Sequence, residues 1–263
     1  MNSPSSPTSP TIAAPAPAPW FPILKKSYTK SFLYTDDPVY ISMSNIKRSG
    51  DASMHCLQFL SFLEDDPRFL QFPLAMNDNL LMGDIKSDPN ASLSWTMPKS
   101  KEYYKLTGRF YIASAPIQVT RFPPPRVTND LAAQEFWERE REKQWKALGD
   151  KARAMFTWPP RGEMPKADKV AFTCQSLKHT VPDPRKKTDD TQIVHDIAMD
   201  NFCLLVYKVS EVEYFDYSSY PPKRTVSCLS LYFGRLCALC VYADNGSSML
   251  HPTYDSYLII GVS

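Results

Sequence analysis

Residues 131–160 read LAAQEFWEREREKQWKALGDKARAMFTWPP, and this stretch is the most informative part of the sequence for the fold. Its first part predicts one long helix over residues 131–148, because the large apolar side chains fall on a single helical face. The members of that face are Phe136, Trp137, Trp145 and Leu148. Gly149 and Asp150 then end this helix and cap a second, short one, which stops before Pro159. The stretch therefore predicts a pair of helices docked on the rest of the protein.

The charged and aromatic residues of this helix pair allow two further predictions, one about an exposed face and one about docking. The run Glu138–Lys143 alternates in charge sign, which is typical of a solvent-exposed helix face rather than of a contact site. Trp145 and Trp158 lie at the ends of the pair, where large aromatic side chains dock on the remainder of the domain. We therefore expect both tryptophans to be structural.

Short strands precede and follow the helix pair. After a first helix over residues 20–30, seven apolar or alternating runs separated by turn-forming residues predict strands. The runs are Val39–Ile46, Met54–Phe62, Phe69–Met76, Ser92–Met97, Tyr103–Ser114, Phe202–Val209 and Val212–Tyr217. Strands at hairpin spacing with little helix between them predict an α+β protein, mainly antiparallel β, built on a barrel or sandwich.

Composition divides the chain into three segments. Residues 1–19 are rich in Pro, Ser and Ala and predict a disordered leader, because they offer no apolar stripe to bury. Residues 20–224 form the predicted domain, which includes a polar and basic excursion over residues 162–200. Residues 225–263 hold few charges and form a divergent C-terminal segment.

Charge, hydropathy and cysteine usage exclude several classes of partner. The 30 basic and 28 acidic residues leave a net charge of +2, so no electrostatic argument favours nucleic acid or an anionic membrane. The most apolar run, Leu229–Tyr242, is interrupted by Arg235 and is too short to cross a bilayer. Six cysteines without a cleavable signal pattern are typical of a cytoplasmic protein with reduced thiols.

The common phosphate-binding and metal-binding motifs are missing from the sequence. Its 8 glycines form neither a G-x-G-x-x-G pattern nor a P-loop, so side chains must hold any nucleotide. The histidines lie far apart, and Cys237 and Cys240 form a lone C-x-x-C inside an apolar run. We therefore expect core cysteines and no metal site.

The order of several motifs resembles that of one known family. In chain order, the matching motifs are Ala18–Trp20, Phe59–Pro67, Lys101–Gly108 and Glu140–Pro160. The last is close to the pattern E-R-x-x-x-W-x-x-L-S followed by R-x-x-F-x-W-P-x-P-G. Together they resemble the Alr4036 branch of the FMN-binding relatives of pyridoxamine 5'-phosphate oxidase, over residues 18–224. The resemblance implies an FMN-binding split β-barrel with flanking helices, which forms a homodimer with the flavin at its interface.

The resemblance also implies where FMN ligands lie. The family's phosphate ligands come from an R-T-V-V-F-R strand and a T-D-x-R-S-x-K loop, which here read HCLQFL (55–60) and NDNLLMG (77–83). The positions at which a ligand is replaced are His55, Leu60, Leu80, Leu81 and Gly83. The candidates that remain for FMN binding are His55, Trp95, Tyr103 and Lys105. In the alternative, Trp95 and Tyr103 pack the barrel and Lys105 is a solvated strand residue.

The resemblance, together with the replaced phosphate-ligand positions, leaves two possible functions. One is an FMN-dependent oxidoreductase relative with an eroded phosphate site, acting on an unidentified small-molecule substrate. The other is a non-catalytic split-barrel interaction or scaffold protein that has lost the flavin. Each missing charge-assisted contact removes roughly 1.5–3 kcal/mol of binding free energy, so we expect weak or substoichiometric FMN binding.

Overall fold

The computed structural model describes residues 18–35, 37–160, 163, 174–179, 189–232, 235–243 and 258–259. Residues 1–17 of the predicted leader lie outside this part, as do the side chains beyond residue 228, including those of the C-x-x-C pair. The helices are α1 (Phe21–Phe32), α2 (Asn79–Ser87), α3 (Ala133–Ala147), α4 (Asp150–Ala154) and α5 (Asp189–Asn201), with a 3-10 turn at Met155–Thr157. The strands are β1 (Tyr40–Ile46), β2 (Ala52–Gln58), β3 (Ser61–Phe62), β4 (Phe69–Ala75), β5 (Asn90–Met97), β6 (Glu102–Ala113), β7 (Phe202–Asp216), β8 (Lys223–Tyr232), β9 (Arg235–Ala243) and β10 (Leu258–Ile259).

Strand β7 lies at the centre of one antiparallel sheet. Along one edge it pairs with β6, from Leu204 opposite Ala113 to Asp216 opposite Glu102. Along its other edge, β4 pairs with the first half of β7 and β8 pairs with the second half. The sheet continues from β6 through β5 and β1 to β2, and it curls into a half-barrel flanked by helices. The predicted α+β split-barrel architecture is confirmed.

The chain forms a single strand, β7, where the sequence predicts two. The pairing shifts between Thr107 and Gly108 of β6, which face Glu211 and Val209, so Ser210 is an extra residue in β7. The Ser210 hydroxyl donates a hydrogen bond to the Thr107 carbonyl oxygen at 2.9 Å. A β-bulge of this kind bends a strand without ending it. Polar residues therefore interrupt the apolar pattern of β7 but not the strand itself.

The inner face of the half-barrel holds the main core. Paired residues of neighbouring strands share a face, and one set of fully buried side chains of β1, β5, β6 and β7 lines this one. They include Ile41, Met43, Leu93, Trp95, Leu106, Phe110 and Tyr207. Helices α1 and α2 add Leu24 and Ile85 to the same cluster. This core closes the concave side of the sheet.

The outer face of the sheet is covered only in part by the described residues. Phe136 and Trp137 of α3 pack on Phe69, Leu204 and Val206, at the end where β4 meets β7. Away from α3, the outward side chains of β1, β2 and the first half of β6 remain largely accessible. Among the described residues, no element covers this part of the outer face.

The helix pair forms as the sequence predicts, and its four docking residues are buried. The prediction of an exposed charge run is wrong in part, because Glu140 and Arg141 are buried as well. The Arg141 guanidinium donates to the carbonyl oxygens of Met199 (3.0 Å) and Phe202 (3.2 Å). The Glu140 carboxylate accepts a hydrogen bond from the Gln71 amide at 3.2 Å. These partners offset the desolvation of the two charges.

The two tryptophans, both expected to dock on the domain, are placed differently. Trp145 is 2% exposed and packs against Phe156 and Phe202. Trp158 is 46% exposed, and its indole N–H donates to the Cys174 carbonyl oxygen at 3.1 Å. The difference arises because the backbone becomes extended at Trp158 and leaves the helix pair there.

Helices α2 and α5 are not predicted by the sequence, which indicates a loop and a polar excursion at these places. Asp78 caps the N-terminus of α2, and its carboxylate accepts a hydrogen bond from the Leu81 backbone N–H at 3.2 Å. Its buried side includes Ile85, whereas α5 buries Val194 and Ala198. α2 has only 9 residues, and α5 buries His195 beside its apolar residues, so neither helix shows a long apolar periodicity. The basic cluster of the excursion, Arg185–Lys187, lies outside the described residues.

Strand β8 spans the predicted domain boundary after Arg224. Its first residues pair with β7, from Lys223 opposite Asp216 to Cys228 opposite Glu211. The sheet therefore continues into the segment of few charges that the sequence analysis separates from the domain.

Candidate functional site

The positions that the resemblance assigns to the FMN phosphate lie on β2, on the turn after it and on α2. On α2, Leu80 is 60% exposed, Leu81 is buried against the core, and Gly83 has open space beside it. Leu60 packs between two apolar clusters, one beneath α3 and one between α3 and α5. None of these four residues offers a positive charge or a side-chain donor to a phosphate.

His55 is the one predicted phosphate residue with a polar side chain, and it has an acidic partner. Its Nε2 lies 2.8 Å from an Asp84 carboxylate oxygen and 3.1 Å from the Ser53 hydroxyl. The Ser53 hydroxyl also donates to the same carboxylate. The three side chains form a cluster between β2 and α2, in which the Asp84 carboxylate occupies the hydrogen-bonding position that a phosphate would need at His55 Nε2.

The pKa of Asp84 reflects this cluster. Burial raises the pKa of the carboxyl, but hydrogen bonds from Ser53 and His55 and the charges of His55 and Lys47 outweigh it, so the pKa falls below its ordinary value. Asp84 is therefore ionised at neutral pH, and the carboxylate repels an incoming phosphate at this place.

Trp95 lies inside the barrel. It is 1% exposed, and its ring centroid lies 4.8 Å from that of Phe59 and 5.5 Å from that of Tyr28. This placement agrees with the alternative in which Trp95 packs the barrel.

Tyr103 and Lys105 lie on the outer face of β6. The Tyr103 ring packs 5.7 Å from the ring of Phe215, and the Lys105 ammonium lies 3.8 Å from a Glu213 carboxylate oxygen. The Lys105 side chain is 48% exposed. His55 and Trp95 instead belong to the inner face, so the structure does not bring the four predicted residues together.

We tested the predicted site against the chemistry of FMN, whose phosphate is a dianion. A cavity of about 210 Å³ lies beside Asp78 and Leu81, between β2, β4 and the α4 region. Its lining contains Cys56, Gln58 and apolar residues, but it includes no lysine, arginine or histidine. The volume is also below the roughly 300–1,000 Å³ of common ligand pockets. The residues present at the predicted phosphate site do not fit FMN.

A second set of functional candidates was missed by the sequence analysis. Arg68, Arg109 and Lys208 line one open groove on the outer face, whose volume is about 780 Å³. Thr107 and Arg109 are two residues apart in a predicted strand, so the sequence already indicates that their side chains share a face. The meeting of Arg109 with Lys208 depends on the register between β6 and β7, which the sequence does not reveal.

Two negative findings concern the described residues alone. Among them, no helix combines the length and the apolar character that a membrane span requires. In the same part of the chain, no three His, Cys, Asp or Glu side chains converge as a metal site would need.

The comparisons with known proteins concern the fold. No protein-family model matches the chain, and no curated protein sequence does so. The crystal structure of a pyridoxamine 5'-phosphate oxidase-related, FMN-binding protein from Nostoc punctiforme is similar, with a TM-score of 0.63 and 19% identity, over 86% of this chain and 98% of that one. PhzG from Burkholderia lata, in complex with tetrahydrophenazine-1-carboxylic acid, has a TM-score of 0.54 and 13% identity, over 86% of this chain and 93% of that one. The chain therefore has the split-barrel fold of pyridoxamine 5'-phosphate oxidase-related, FMN-binding proteins.

Proposed function

We propose that this chain is a split-barrel protein that has lost the phosphate site for FMN and acts as a binding or interaction protein rather than as a flavin-dependent oxidoreductase. The observation that carries the proposal is the pairing of His55 with Asp84. This pairing occupies the one remaining polar ligand position, while leucines or glycine stand at the other four. No other predicted phosphate position carries a polar or basic side chain.

The colour of the purified protein tests this proposal. Oxidised flavin absorbs between about 350 and 500 nm, so we expect the protein to show no flavin bands, or bands that correspond to far less than one FMN per chain. Titration with FMN should then give weak binding. A yellow protein that retains one FMN per chain after extensive dialysis would show that other residues hold the flavin, and the oxidoreductase function would replace our proposal.

Restoring charge on α2 is a sharper test. Leu80 and Gly83 are both exposed, so Leu80→Arg with Gly83→Lys returns two family ligands without disturbing the core. Position 60 is unsuitable because Leu60 packs between two apolar clusters. We expect the double variant to bind FMN at least tenfold more tightly than the unmodified chain, since each charge-assisted contact contributes roughly 1.5–3 kcal/mol.

The matched control places the same two charges at the end of α1. Leu33→Arg with Tyr34→Lys changes two exposed residues and the net charge equally. This control should leave FMN binding unchanged. Equal gains in both double variants would reveal a general charge effect and would argue against an eroded phosphate site on α2.

We also propose that the chain forms a homodimer through the outer face of β1 and β2. Tyr40 and Met54 are exposed apolar residues of this face, and β2 is an edge strand among the described residues. In light scattering after size exclusion, we expect a dimer for the unmodified chain and a monomer for Met54→Glu. Leu33→Glu, at an exposed position of another element, should remain dimeric. A monomeric unmodified chain would contradict the dimer.

A further inference from the structure

The outer face of the sheet also contains a groove, which borders the proposed dimer face along β1. We call it the cation groove, and it is lined by outward side chains of β1, β5, β6 and β7 together with Arg68 from the turn before β4. Its volume, about 780 Å³, lies within the range of ligand pockets. The side chains on which the argument rests are Ser44, Arg68, Ser92, Thr107, Arg109 and Lys208.

Arg109 and Lys208, two cations of the groove, make no ion pair within the described residues. Arg109 and Lys208 are opposite each other in the β6–β7 register, so their side chains leave the same face of the sheet. The Arg109 guanidinium lies 5.3 Å from the centre of the Phe122 ring, and the Lys208 ammonium lies 5.5 Å from that of Phe69. The aromatic rings orient the two cations without neutralising them.

Arg68 adds a third cation whose charge is balanced. Its guanidinium makes an ion pair with Asp66, with Nε 2.7 Å from one carboxylate oxygen. Burial lowers the pKa of Lys208, and the charge of Arg68 lowers it further, whereas Asp66 raises it. Because burial is the largest cause, an anion placed beside Lys208 would stabilise its charged form.

Hydroxyl groups line the groove beside the cations. Ser44, Ser92 and Thr107 are neighbours in register across β1, β5 and β6, so their side chains form one row on the outer face. Their hydroxyls make no hydrogen bond to another protein group in the part of the chain that the structure describes. They are therefore free to bind polar groups of a ligand next to the anion-binding end.

We propose that the cation groove binds a small molecule that carries a phosphate ester. Arg109 and Lys208 supply two positive charges, which match a phosphate dianion, and the serine and threonine hydroxyls supply hydrogen bonds to the remainder of the ligand. A concave site of this volume, with apolar residues such as Val209 in its lining, suits a small molecule.

Calorimetric titration with AMP tests the proposal, with adenosine as the probe that lacks the phosphate. We expect AMP to bind at least tenfold more tightly than adenosine, and inorganic phosphate to displace AMP. Arg109→Met and Lys208→Met each keep an unbranched stem in the groove and should weaken AMP binding at least tenfold. Thermal unfolding of each variant establishes that it is folded before titration.

Arg121→Met is the matched control. The Arg121 guanidinium lies 5.4 Å from the same Phe122 ring that Arg109 contacts, but Arg121 does not line the groove. This variant should bind AMP as the unmodified chain does. The proposal is overturned if AMP does not bind, if adenosine binds equally well, or if Arg121→Met weakens binding as much as Arg109→Met. Stronger binding of a single-stranded RNA oligonucleotide than of AMP, lost in the same two variants, would replace the small molecule by a nucleic acid.

Discussion

Trp145→Ala is expected to lower the free energy of unfolding by about 3–5 kcal/mol, the cost typical of truncating a buried tryptophan. The Trp145 ring lies 5.3 Å from the Phe202 ring and 6.0 Å from the Phe156 ring, and together they join α3 to the start of β7 and to the 3-10 turn. Removing it leaves a cavity where these elements meet. Urea unfolding followed by far-ultraviolet circular dichroism measures the loss without relying on tryptophan fluorescence.

Trp158→Ala is the matched control because it removes the same side chain from an exposed position. This variant loses one hydrogen bond to the Cys174 carbonyl oxygen. We expect its free energy of unfolding to decrease by about 1 kcal/mol or less. If Trp145→Ala yields no soluble protein, Trp145→Phe removes less volume and should still be less stable than Trp158→Ala. Equal effects of the two alanine variants would contradict the structural role of Trp145.

Gly108→Ala is expected to cost about 3 kcal/mol of stability, at the upper end of the usual range for overpacking. A Cβ at Gly108 would lie 2.2 Å from the Lys208 carbonyl oxygen and 2.8 Å from the Tyr207 ring. The carbonyl belongs to the paired strand, and the Tyr207 hydroxyl is fixed by hydrogen bonds to the Ala91 and Leu106 carbonyl oxygens. Neither group can move without disturbing the sheet, and thermal and urea unfolding both report the loss.

Gly83→Ala provides the comparison for this variant. No atom lies within 4 Å of a Cβ built at Gly83, which sits in α2. Alanine favours a helix by up to about 1 kcal/mol over glycine, so this substitution should leave the protein as stable or slightly more stable. If Gly108→Ala has the same unfolding temperature and urea midpoint as Gly83→Ala, the bulge region accommodates a side chain and the prediction is wrong.

Features carried by local pattern were predictable from the sequence. The four apolar residues of α3 recur at helical spacing, and the strand runs alternate between apolar and polar residues, because each element buries one face. Gly149 and Asp150 mark the point where α3 gives way to α4. The substitutions at Leu60, Leu80 and Gly83 were visible in the sequence as well, since the resemblance assigns each position a ligand.

Features that depend on partners far away in the chain were decided by the tertiary structure. The burial of Arg141 depends on carbonyl groups of Met199 and Phe202, and the contact of His55 depends on Asp84 of α2. The sequence does not reveal either pairing, because the residues next to a polar side chain in the chain do not show whether it contacts water or a distant partner.

The sequence was sufficient for the fold class and the helix pair, because periodicity and residue identity are local properties. Only the tertiary structure decided which side chains meet on the outer face. Arg109 and Lys208 become neighbours through the β6–β7 register, which the bulge at Ser210 shifts by one residue. A shift of one residue reverses the face to which a side chain points, so the cation groove follows from the folded sheet and not from the order of residues.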